Sequence, residues 1–563
     1  MGTQRNEQKT IQLEVRGMTC DSCAVHVRRA LESVPGVWRA DVPGWQSARA
    51  TVKAAPGVSD EALSLAVSRA GYRARVTSRQ RLAAPQPGND ERPLHRGHTD
   101  YDLMVIGGGS AGFAAAIKGA ELGFKVALVE AETIGGTCVN VGCVPSKALI
   151  RAVELYHLAG QHRFRGVHTT PGRISWPEVI AHKDALVKEL RQAKYEDVLA
   201  AYPEITYIQG RARLTGKNGV EIEGRSYAPG KIIIATGASP WAPPIPGLDE
   251  VPYLDSTSAL ALKELPRSMI VLGANAVGLE LAQAYARAGT VVTVLEVLPR
   301  IAPFEDEDIS TALAGYLEEE GLRIVSAFKT TRVERRDGRT ILTGTKDGAE
   351  MRFDAEQLLV ATGRRPNTAG LGLEDAGVTL GKRGEILVND QLQTSNPFIY
   401  AAGDVTGRDM FVYVAAYAGA LAAENALTDA GRVYDAGYIP RITFTDPQIA
   451  SAGLTEAQAR EQGYEVKVST LPMVHVPRAL AAHDTRGLIK LVADAATDRL
   501  LGAHILAPEA GEMVQTAVLA IRFGITVREL RETMFPYLTN VEGLKLAALS
   551  FEKDVAKLSC CAG

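Results

Sequence analysis

One arrangement of residues occurs twice in this chain of 563 residues, and it constrains the fold more than any other feature. The two segments are YDLMVIGGGSAGFAAAIKGAELGFKVALVE and RSMIVLGANAVGLELAQAYARAGTVVTVLE. Each predicts a buried strand, a glycine-bearing turn, a helix and a second strand that ends in an acid. Matching segments, IIIATGASP and LLVATGRRPN, follow later in the chain. The repeat therefore predicts two dinucleotide-binding units.

The first turn carries the full glycine pattern, with Gly107, Gly109 and Gly112. In a dinucleotide-binding unit these glycines allow, in order, a tight turn, close approach of the backbone to a diphosphate, and close packing of the helix on the strand. Glu130 follows Gly107 by 23 residues and is placed to accept a hydrogen bond from a ribose hydroxyl. Strand, turn, helix and acid together indicate a nucleotide site rather than an incidental glycine match.

The second turn is degenerate. It keeps Gly273 and Gly278, but Asn275 replaces the central glycine, so its backbone is expected to approach a ligand less closely. Glu296 would bond a ribose 2′-hydroxyl and repel a 2′-phosphate, which favours NADH. Arg300, four residues later, could instead pair with a 2′-phosphate and accept NADPH. The sequence leaves both nucleotides open.

The six cysteines form three close pairs: Cys20 with Cys23, Cys138 with Cys143, and Cys560 with Cys561. A secreted disulfide framework would be denser and in a shorter chain, so the pairs indicate metal binding or redox chemistry in a reducing compartment. The structural alternative for the central pair is two buried thiols. A structural zinc site at the first pair would need two further ligands, and only His26 is near in sequence.

The distribution of charge and apolar residues excludes several classes of partner. The formal net charge is -3, with both signs mixed throughout, which does not favour a nucleic-acid or membrane-surface partner. No apolar run reaches the about 18 residues that span a bilayer, and the first residues lack the apolar core of a signal peptide. We therefore expect a cytoplasmic chain without membrane insertion.

The order of predicted elements divides the rest of the chain. Residues 11–76 predict the order βαββαβ, with Ser59 as the N-cap of the second helix. A segment rich in proline, glycine and charge then predicts a flexible linker. From about Tyr438 onward strands and helices continue without a phosphate-binding turn, which predicts a third, interface-type domain.

The stretch GGTCVNVGCVPSK resembles the redox-active disulfide of the pyridine nucleotide-disulfide oxidoreductases, and the similarity extends from about Tyr101 into the C-terminal domain. The resemblance implies that the first unit binds FAD and the second a nicotinamide nucleotide. It further implies that Cys143 faces the flavin and Cys138 the substrate. Lys147 would lie beside the flavin ring with Glu280 as its acidic partner. The alternative for Lys147 and Glu280 is an ordinary, solvent-exposed ion pair on a helix surface.

Other motifs extend the resemblance around the cofactor. IYAAGD resembles the second FAD motif of the family, which implies that Asp404 lies toward the ribityl and phosphate region. Thr137 belongs to the matching phosphate-side motif. GRARL resembles the segment whose backbone, here at Ala212, contacts adenine, and Val412 in FVYVAA corresponds to a backbone contact with the flavin ring.

The C-terminal segment FPYLTNVEGLK departs from the family pattern. Disulfide reductases carry His-Pro-Thr with a glutamate three residues after the threonine. Aligning Thr539 and Glu542 places Tyr537 where the histidine stands. A tyrosine with an ordinary pKa of about 10 is a poor general base at neutral pH compared with a histidine of about 6.5. Efficient disulfide reduction is therefore not expected.

The tail LSCCAG resembles the C-terminal signature of the mercuric reductases within this family, where it reaches the partner subunit's active site. GMTCDSC resembles heavy-metal-associated domains, a motif that copper chaperones share. Thiolates prefer soft metal ions. The resemblance implies that Cys20 and Cys23 bind Hg(II), and that the tail pair hands it to the central pair. Tyr195 matches a tyrosine that lies near the metal site in mercuric reductases. The alternative is that Tyr195 lies on a charged helical stretch and has only a packing or surface role.

The resemblance implies an α/β fold with two Rossmann-like domains, for FAD and NAD(P), and an α+β dimerisation domain, preceded by a small βαββαβ ferredoxin-like metal-binding domain. The expected activity is reduction of Hg(II), delivered as thiol complexes, to Hg(0) by a homodimer that contains FAD and uses NADPH, or NADH. A mercury transporter or carrier is a further candidate partner. The alternatives are a lipoamide- or glutathione-type reductase fused to a copper-binding module, and a metal-buffering protein without enzymatic activity.

The expected domain boundaries follow from these motifs. They are 1–78 for metal binding, 79–99 for the linker, 100–245 and 371–436 for FAD, 246–370 for the nicotinamide nucleotide, and 437–563 for dimerisation with the cysteine tail.

Overall fold

The computed structural model describes residues 9–18, 21–32, 34, 36–42, 45–55, 57–81, 99–554 and 557. Its contacts divide the chain into two compact units, Met1–Arg96 and Gly97–Gly563. Three residues predicted as metal ligands, Cys20, Cys560 and Cys561, lie outside the described residues. Within the described ranges, no helix is long and apolar enough to cross a membrane.

The N-terminal unit has the predicted order βαββαβ. Its elements are β1 (Lys9–Arg16), α1 (Asp21–Glu32), β2 (Val37–Asp41), β3 (Arg49–Ala54), α2 (Asp60–Arg69) and β4 (Arg73–Arg81). Neighbouring strands are antiparallel in the sheet order β2-β3-β1-β4. The Ser59 side chain accepts a hydrogen bond from the Ala62 N–H, so it caps α2 as predicted. Strand β4 runs to Arg81, into the predicted linker, because Arg81 still pairs with Lys9.

The first dinucleotide unit is built on a parallel sheet of order β21-β11-β5-β6-β7. All four residues of β5 are buried, as expected for a parallel strand covered on both faces. The elements up to the second unit are β5 (Leu103–Ile106), α3 (Ser110–Glu121), β6 (Val126–Glu130), α4 (Gly136–Val141), α5 (Cys143–Leu158), α6 (Trp176–Arg191), α7 (Asp197–Ala200), β7 (Ile205–Gln209), β8 (Ala212–Thr215), β9 (Gly219–Ile222), β10 (Arg225–Tyr227), β11 (Lys231–Ile234) and β12 (Ala238–Pro240).

The second dinucleotide unit has a parallel sheet of order β15-β14-β13-β19. Its elements are α8 (Ser256–Leu260), β13 (Ser268–Leu272), α9 (Ala276–Ala288), β14 (Val291–Leu295), α10 (Glu307–Glu319), β15 (Arg323–Val325), β16 (Lys329–Arg336), β17 (Arg339–Lys346), β18 (Ala349–Ala355), β19 (Gln357–Val360) and β20 (Arg364–Pro366). The chain then returns to the first sheet through β21 (Ile399–Ala401) and α11 (Val412–Thr428). In both units the first strand lies between the second and the fourth, which confirms the predicted pair of Rossmann-like folds.

The C-terminal part packs helices against an antiparallel sheet of order β22-β23-β26-β25-β24, which confirms the predicted α+β class. Its elements are β22 (Arg441–Thr443), β23 (Gln448–Gly453), α12 (Glu456–Glu461), β24 (Val466–Pro472), α13 (Pro477–Ala481), β25 (Leu488–Asp494), β26 (Leu500–Ala507), α14 (Ala510–Arg522), α15 (Val527–Glu532) and α16 (Glu542–Leu549). One face of α14, including Met513 and Val514, is buried in this core.

A buried lysine on β25 joins this C-terminal sheet to the second dinucleotide unit. The ammonium of Lys490 lies 2.9 Å from Asp306, 2.8 Å from Asp308 and 2.9 Å from Glu456. The side chain of Lys490 is 6% exposed, so its three carboxylate partners replace the water that it loses.

We predict that Lys490→Met destabilises the FAD-loaded protein by about 3 kcal/mol, because it leaves the buried carboxylate of Asp306 without its cation. Thermal unfolding followed by circular dichroism measures the effect. Lys467→Met is the matched control: that lysine pairs with Asp498 at 2.5 Å, but both side chains are about a third exposed. It should cost less than about 1 kcal/mol. Equal losses in the two variants would contradict the prediction.

Candidate active site

The first phosphate-binding turn requires glycine for steric reasons. Gly107 has φ +112°, in the region that side chains disfavour. A Cβ on Gly112 would lie 1.7 Å from the carbonyl oxygen of Gly107, so helix α3 packs directly on the turn. A Cβ on Gly109 would meet only the Gly136 Cα, at 3.6 Å, which is an ordinary van der Waals contact, so packing alone does not require glycine there. A residue without a side chain at the N-cap and the N–H groups of α3 suit the close approach of a diphosphate.

Glu130 is fixed at the end of β6 by two backbone hydrogen bonds. Its Oε2 accepts from the Gly108 N–H at 2.6 Å, and its Oε1 accepts from the Glu132 N–H at 2.8 Å. Each carboxylate oxygen keeps a further acceptor site. The carboxylate is therefore held next to the phosphate turn, where a ribose hydroxyl could donate to it.

The second turn repeats this geometry. A Cβ on Gly278 would lie 2.0 Å from the carbonyl oxygen of Gly273, which has φ +104°. Glu296 accepts from the Ala274 N–H at 2.7 Å and from the Leu298 N–H at 2.9 Å, and it is 6% exposed. Asn275, the residue that replaces the central glycine, is the N-cap of α9 and keeps an extended backbone with φ -102°.

The two central cysteines lie at a break between helices. Helix α4 carries Cys138 and ends before Gly142, and α5 begins at Cys143. Both cysteines are free thiols, with Cys138 half-buried and Cys143 exposed. The first turn of a helix stabilises negative charge, so this position favours a thiolate at Cys143.

A hydrogen bond between the two thiols differentiates their acidity. The Cys138 thiol donates to the sulfur of Cys143, and this bond, together with the positive charge of Lys147, lowers the pKa of Cys143 to about 7. The same hydrogen bond, with burial, raises the pKa of Cys138. Near neutral pH the pair therefore holds one thiolate, at Cys143, and one thiol proton, at Cys138.

Lys147 is held beside the cysteines by Glu280. The Lys147 Nζ lies 2.6 Å from the Glu280 Oε2, and it also lies 4.6 Å from the centroid of the Phe444 ring. The Phe444 N–H donates to the Glu280 Oε1 at 2.9 Å. The Glu280 side chain is 6% exposed and the Lys147 side chain 35% exposed, so the acid of this pair is buried and the lysine keeps partial contact with solvent.

Tyr195 lies in a single π-helical turn, Gln192–Glu196, that follows α6. Its ring packs against Phe113 of α3, with 4.9 Å between centroids. Burial raises the pKa of Tyr195, a hydrogen bond with Ser110 opposes this, and the charges of Cys138 and Cys143 raise the pKa further. The hydroxyl is thus protonated at neutral pH and lies near the dithiol. Such π-turns occur frequently at functional sites.

The other residues of the predicted FAD site lie on several elements. Ala212 is buried at the start of β8, and Val412 is the first residue of α11. Burial raises the pKa of Asp404, whose carboxylate lies 4.0 Å from the Nε of Arg364. Thr137 accepts a hydrogen bond from the Arg364 guanidinium at 3.4 Å.

Arg364 was not singled out from the sequence. Its Nε is buried and has no hydrogen-bond partner among the described residues, and burial lowers its pKa. A buried donor of this kind calls for an acceptor, and an anionic phosphate is a suitable one. The N-cap glycine Gly109, the fixed carboxylate of Glu130 and this donor all fit FAD. The available signal was the difference between the repeated segments: Arg364 stands in ATGRRP where the first copy has Ala238 in ATGASP.

Tyr537 lies between α15 and α16 and is 52% exposed. Next to it, Leu538 donates through its N–H to the Glu542 side chain at 3.2 Å, and Met534 is 93% exposed. Met534, Tyr537 and Leu538 thus lie on the surface of the single chain, whereas Phe535 between them packs against the C-terminal core.

We predict that Gly109→Ala and Gly112→Ala have different effects. Gly109→Ala should fold, because its Cβ meets only ordinary contacts, but it fills the phosphate space and should weaken FAD binding by about tenfold or more. Gly112→Ala should lower the yield of folded protein, because its Cβ overlaps a backbone oxygen. Flavin absorbance and thermal unfolding of the purified variants measure both effects. Unchanged FAD affinity in Gly109→Ala would contradict the assignment.

The acidity of Cys143 gives a further prediction. Alkylation of the reduced protein at Cys143, identified by mass spectrometry, should rise with pH around a midpoint near 7. Lys147→Met should move this midpoint upward, because the thiolate loses its neighbouring cation. Lys188→Met, which removes an exposed lysine on α6, is the control and should not move it. An unshifted midpoint in Lys147→Met would refute the role of this cation.

Comparison with known proteins agrees with this geometry. Residues 101–419 match the family model described as pyridine nucleotide-disulphide oxidoreductase, and residues 439–548 match its dimerisation domain. The E. coli protein RclA, an HOCl-induced flavoprotein disulfide reductase solved as a Cu(II) complex, superposes with a TM-score of 0.72 at 32% identity. The match covers 80% of this chain and 99% of RclA.

Several mercuric reductases have sequences similar to most or nearly all of this chain. A mercuric reductase of Staphylococcus aureus is 44% identical over 99% of this chain and 100% of its own length. One of Shigella flexneri is 45% identical, over 98% of this chain and 100% of its own length. One of Streptomyces lividans is 48% identical, over 83% and 99% respectively. The chain therefore belongs to the pyridine nucleotide-disulphide oxidoreductase family and, within it, groups with the mercuric reductases.

Proposed function

We propose that this protein is an NAD(P)H-dependent flavoenzyme that reduces Hg(II) to Hg(0). The observation that carries the proposal is the Cys138–Cys143 dithiol beside the first phosphate turn, in a chain whose full-length relatives are mercuric reductases. The dimerisation domain supports a homodimer. We further propose that the partner subunit completes each active site, and that the protein works in the cytoplasm, where thiols stay reduced.

The dithiol suits a soft, divalent metal ion. At neutral pH Cys143 offers a thiolate at once, and Cys138 gives up its proton when the ion binds. Two sulfurs provide the soft ligands that Hg(II) prefers, and they neutralise its two charges. Lys147 stabilises the Cys143 thiolate before the ion arrives, because its ammonium remains beside Cys143.

The remaining residues of the site bind and orient the cofactors. Glu130, Thr137, Asp404 and Arg364 would hold the ribose, phosphate and ribityl groups of FAD, and Glu296 the ribose of the nicotinamide nucleotide. When bound, FAD supplies the two-electron chemistry that conversion of Hg(II) to Hg(0) requires. Tyr195 would contribute a protonated hydroxyl near the thiols, with its ring positioned by the contact with Phe113.

The outer cysteine pairs are proposed to deliver the ion. Cys20 and Cys23 would bind Hg(II) from a transporter or from thiol complexes, and Cys560 and Cys561 would pass it to the central pair. Adjacent thiols suit such transfer, because an entering sulfur can bind before the departing one leaves. Tyr537, in the position where disulfide reductases carry histidine, is proposed to lie near the metal and not to act as a base.

The experiment that tests the proposal measures oxidation of NADPH and NADH by the purified protein with Hg(II) in excess small-molecule thiol. Oxidised glutathione, lipoamide and Cu(II) serve as competing substrates. Mercury-dependent oxidation with release of elemental mercury vapour, and little turnover of the disulfides, is the expected result. Rapid disulfide turnover without mercury vapour would refute the proposal and favour a disulfide reductase.

Cysteine substitutions separate catalysis from delivery. We predict that Cys138→Ser or Cys143→Ser lowers mercury reduction by at least about a thousandfold, because a single thiolate cannot hold the ion in the two-sulfur complex that the cofactor would reduce. The double substitution of Cys20 and Cys23 is the matched control and should leave turnover with small thiol complexes nearly unchanged. Loss of both tail cysteines should chiefly reduce turnover of bulky thiol complexes. Vapour release with each mercury complex measures these effects, and full activity in Cys143→Ser would refute the central role.

A further inference from the structure

We infer that the second dinucleotide site selects NADH over NADPH. The inference rests on the proposed function, because it concerns the nucleotide that supplies the electrons. The sequence left this choice open between Glu296 and Arg300. The structure provides contacts for both residues, and those contacts favour the carboxylate as the group that meets the ribose.

Glu296 is a buried, preorganised carboxylate. It follows the last residue of β14 and is held by the N–H groups of Ala274 and Leu298, at 2.7 and 2.9 Å. Ala274 is part of the phosphate turn itself, between Gly273 and the start of α9. A ribose bound at this turn would therefore meet a fixed negative charge, which accepts from a 2′-hydroxyl and repels a 2′-phosphate.

The first dinucleotide unit provides an internal reference for this geometry. There Glu130 is held in the same manner, by one N–H from the phosphate turn at 2.6 Å and one from the second residue beyond the acid at 2.8 Å. The proposed ligand of that site, FAD, has an adenosine ribose without a 2′-phosphate. Because the two carboxylates are held alike, the second site is built for the same unphosphorylated ribose.

Arg300 is engaged elsewhere. Its Nη1 donates to the Glu305 carbonyl oxygen at 2.8 Å and to the Ser310 Oγ at 2.6 Å. The Ser310 hydroxyl in turn donates to the Ala302 carbonyl oxygen at 2.9 Å. The Nη1 of the guanidinium thus joins the loop after β14 to helix α10, and moving the guanidinium away from this position toward a 2′-phosphate would break these hydrogen bonds.

The surrounding charges do not supply a substitute cation. Residues 296–308 contain five acids and one arginine, so the segment that follows β14 is strongly acidic. Arg323, at the start of β15, packs over the Phe353 ring at 4.8 Å. Lys329 is exposed at the start of β16, one residue after Phe328, whose N–H donates to the Glu296 carbonyl oxygen. Lys329 is therefore the cation that a test of this inference must include.

The test uses ADP-ribose and 2′-phospho-ADP-ribose, which differ by the 2′-phosphate alone and transfer no hydride. Calorimetry on the FAD-loaded full-length protein, without mercury, measures both dissociation constants. We expect ADP-ribose to bind at least about tenfold more tightly. Equal affinities, or tighter binding of the phosphorylated ligand, would overturn the inference. Since the readout needs no turnover, this result is independent of whether the protein reduces mercury.

Variants identify the residue responsible. Glu296→Gln should reduce the affinity ratio to below about threefold, because the amide neither repels the phosphate nor accepts as strongly. Glu307→Gln removes one exposed negative charge from the same segment and should leave the ratio unchanged. Arg300→Ala and Lys329→Ala should also leave it unchanged. A selective loss of 2′-phospho-ADP-ribose binding in either of these two variants would overturn the inference, and the wild-type ratio decides it if Glu296→Gln does not fold.

Discussion

The ion pair between Lys147 and Glu280 is the interaction on which the arrangement of the site depends. Lys147 belongs to the helix that begins at Cys143, Glu280 to the helix that begins at the second phosphate turn, and Phe444 of the C-terminal part contacts both residues. A buried carboxylate without this cation would be strongly unfavourable. The pair thus ties three parts of the chain together at the dithiol, and it places a positive charge where the Cys143 thiolate forms.

The two dinucleotide units use the same physical solution. Each closes its phosphate turn with a glycine whose missing Cβ lets the helix contact the turn, and each anchors an acid through two backbone N–H groups. The FAD-binding unit and the nicotinamide nucleotide-binding unit differ at the residues expected to contact the phosphates. At the central position of the turn the first unit has Gly109 and the second has Asn275. The first site also receives a buried donor from outside its own unit, because Arg364 of β20 reaches Thr137.

Buried charge also fixes the second dinucleotide unit to the C-terminal sheet. Arg287 of α9 pairs with Glu320 at 2.6 Å and with Asp446 at 2.8 Å, and its side chain is 4% exposed. Arg486 pairs with the same two acids. A second cluster is formed by Lys490 and its three carboxylate partners. Such networks are costly to break, because removing one member leaves the others desolvated. They hold rigidly the helix that carries Glu280, and therefore the ion pair beside the dithiol.

The sequence by itself determined the local and repeated features. Glycine spacing, strand periodicity and the terminal acids predicted both Rossmann-like units, because these patterns report backbone geometry that only a few residue types allow. The N-cap of α2 follows from a similarly short-range rule. Only the tertiary structure decided the electrostatics. The proton on Cys138, the orphaned Nε of Arg364 and the engagement of Arg300 by α10 depend on groups that are distant in sequence or on side-chain orientation, and residue spacing does not encode either.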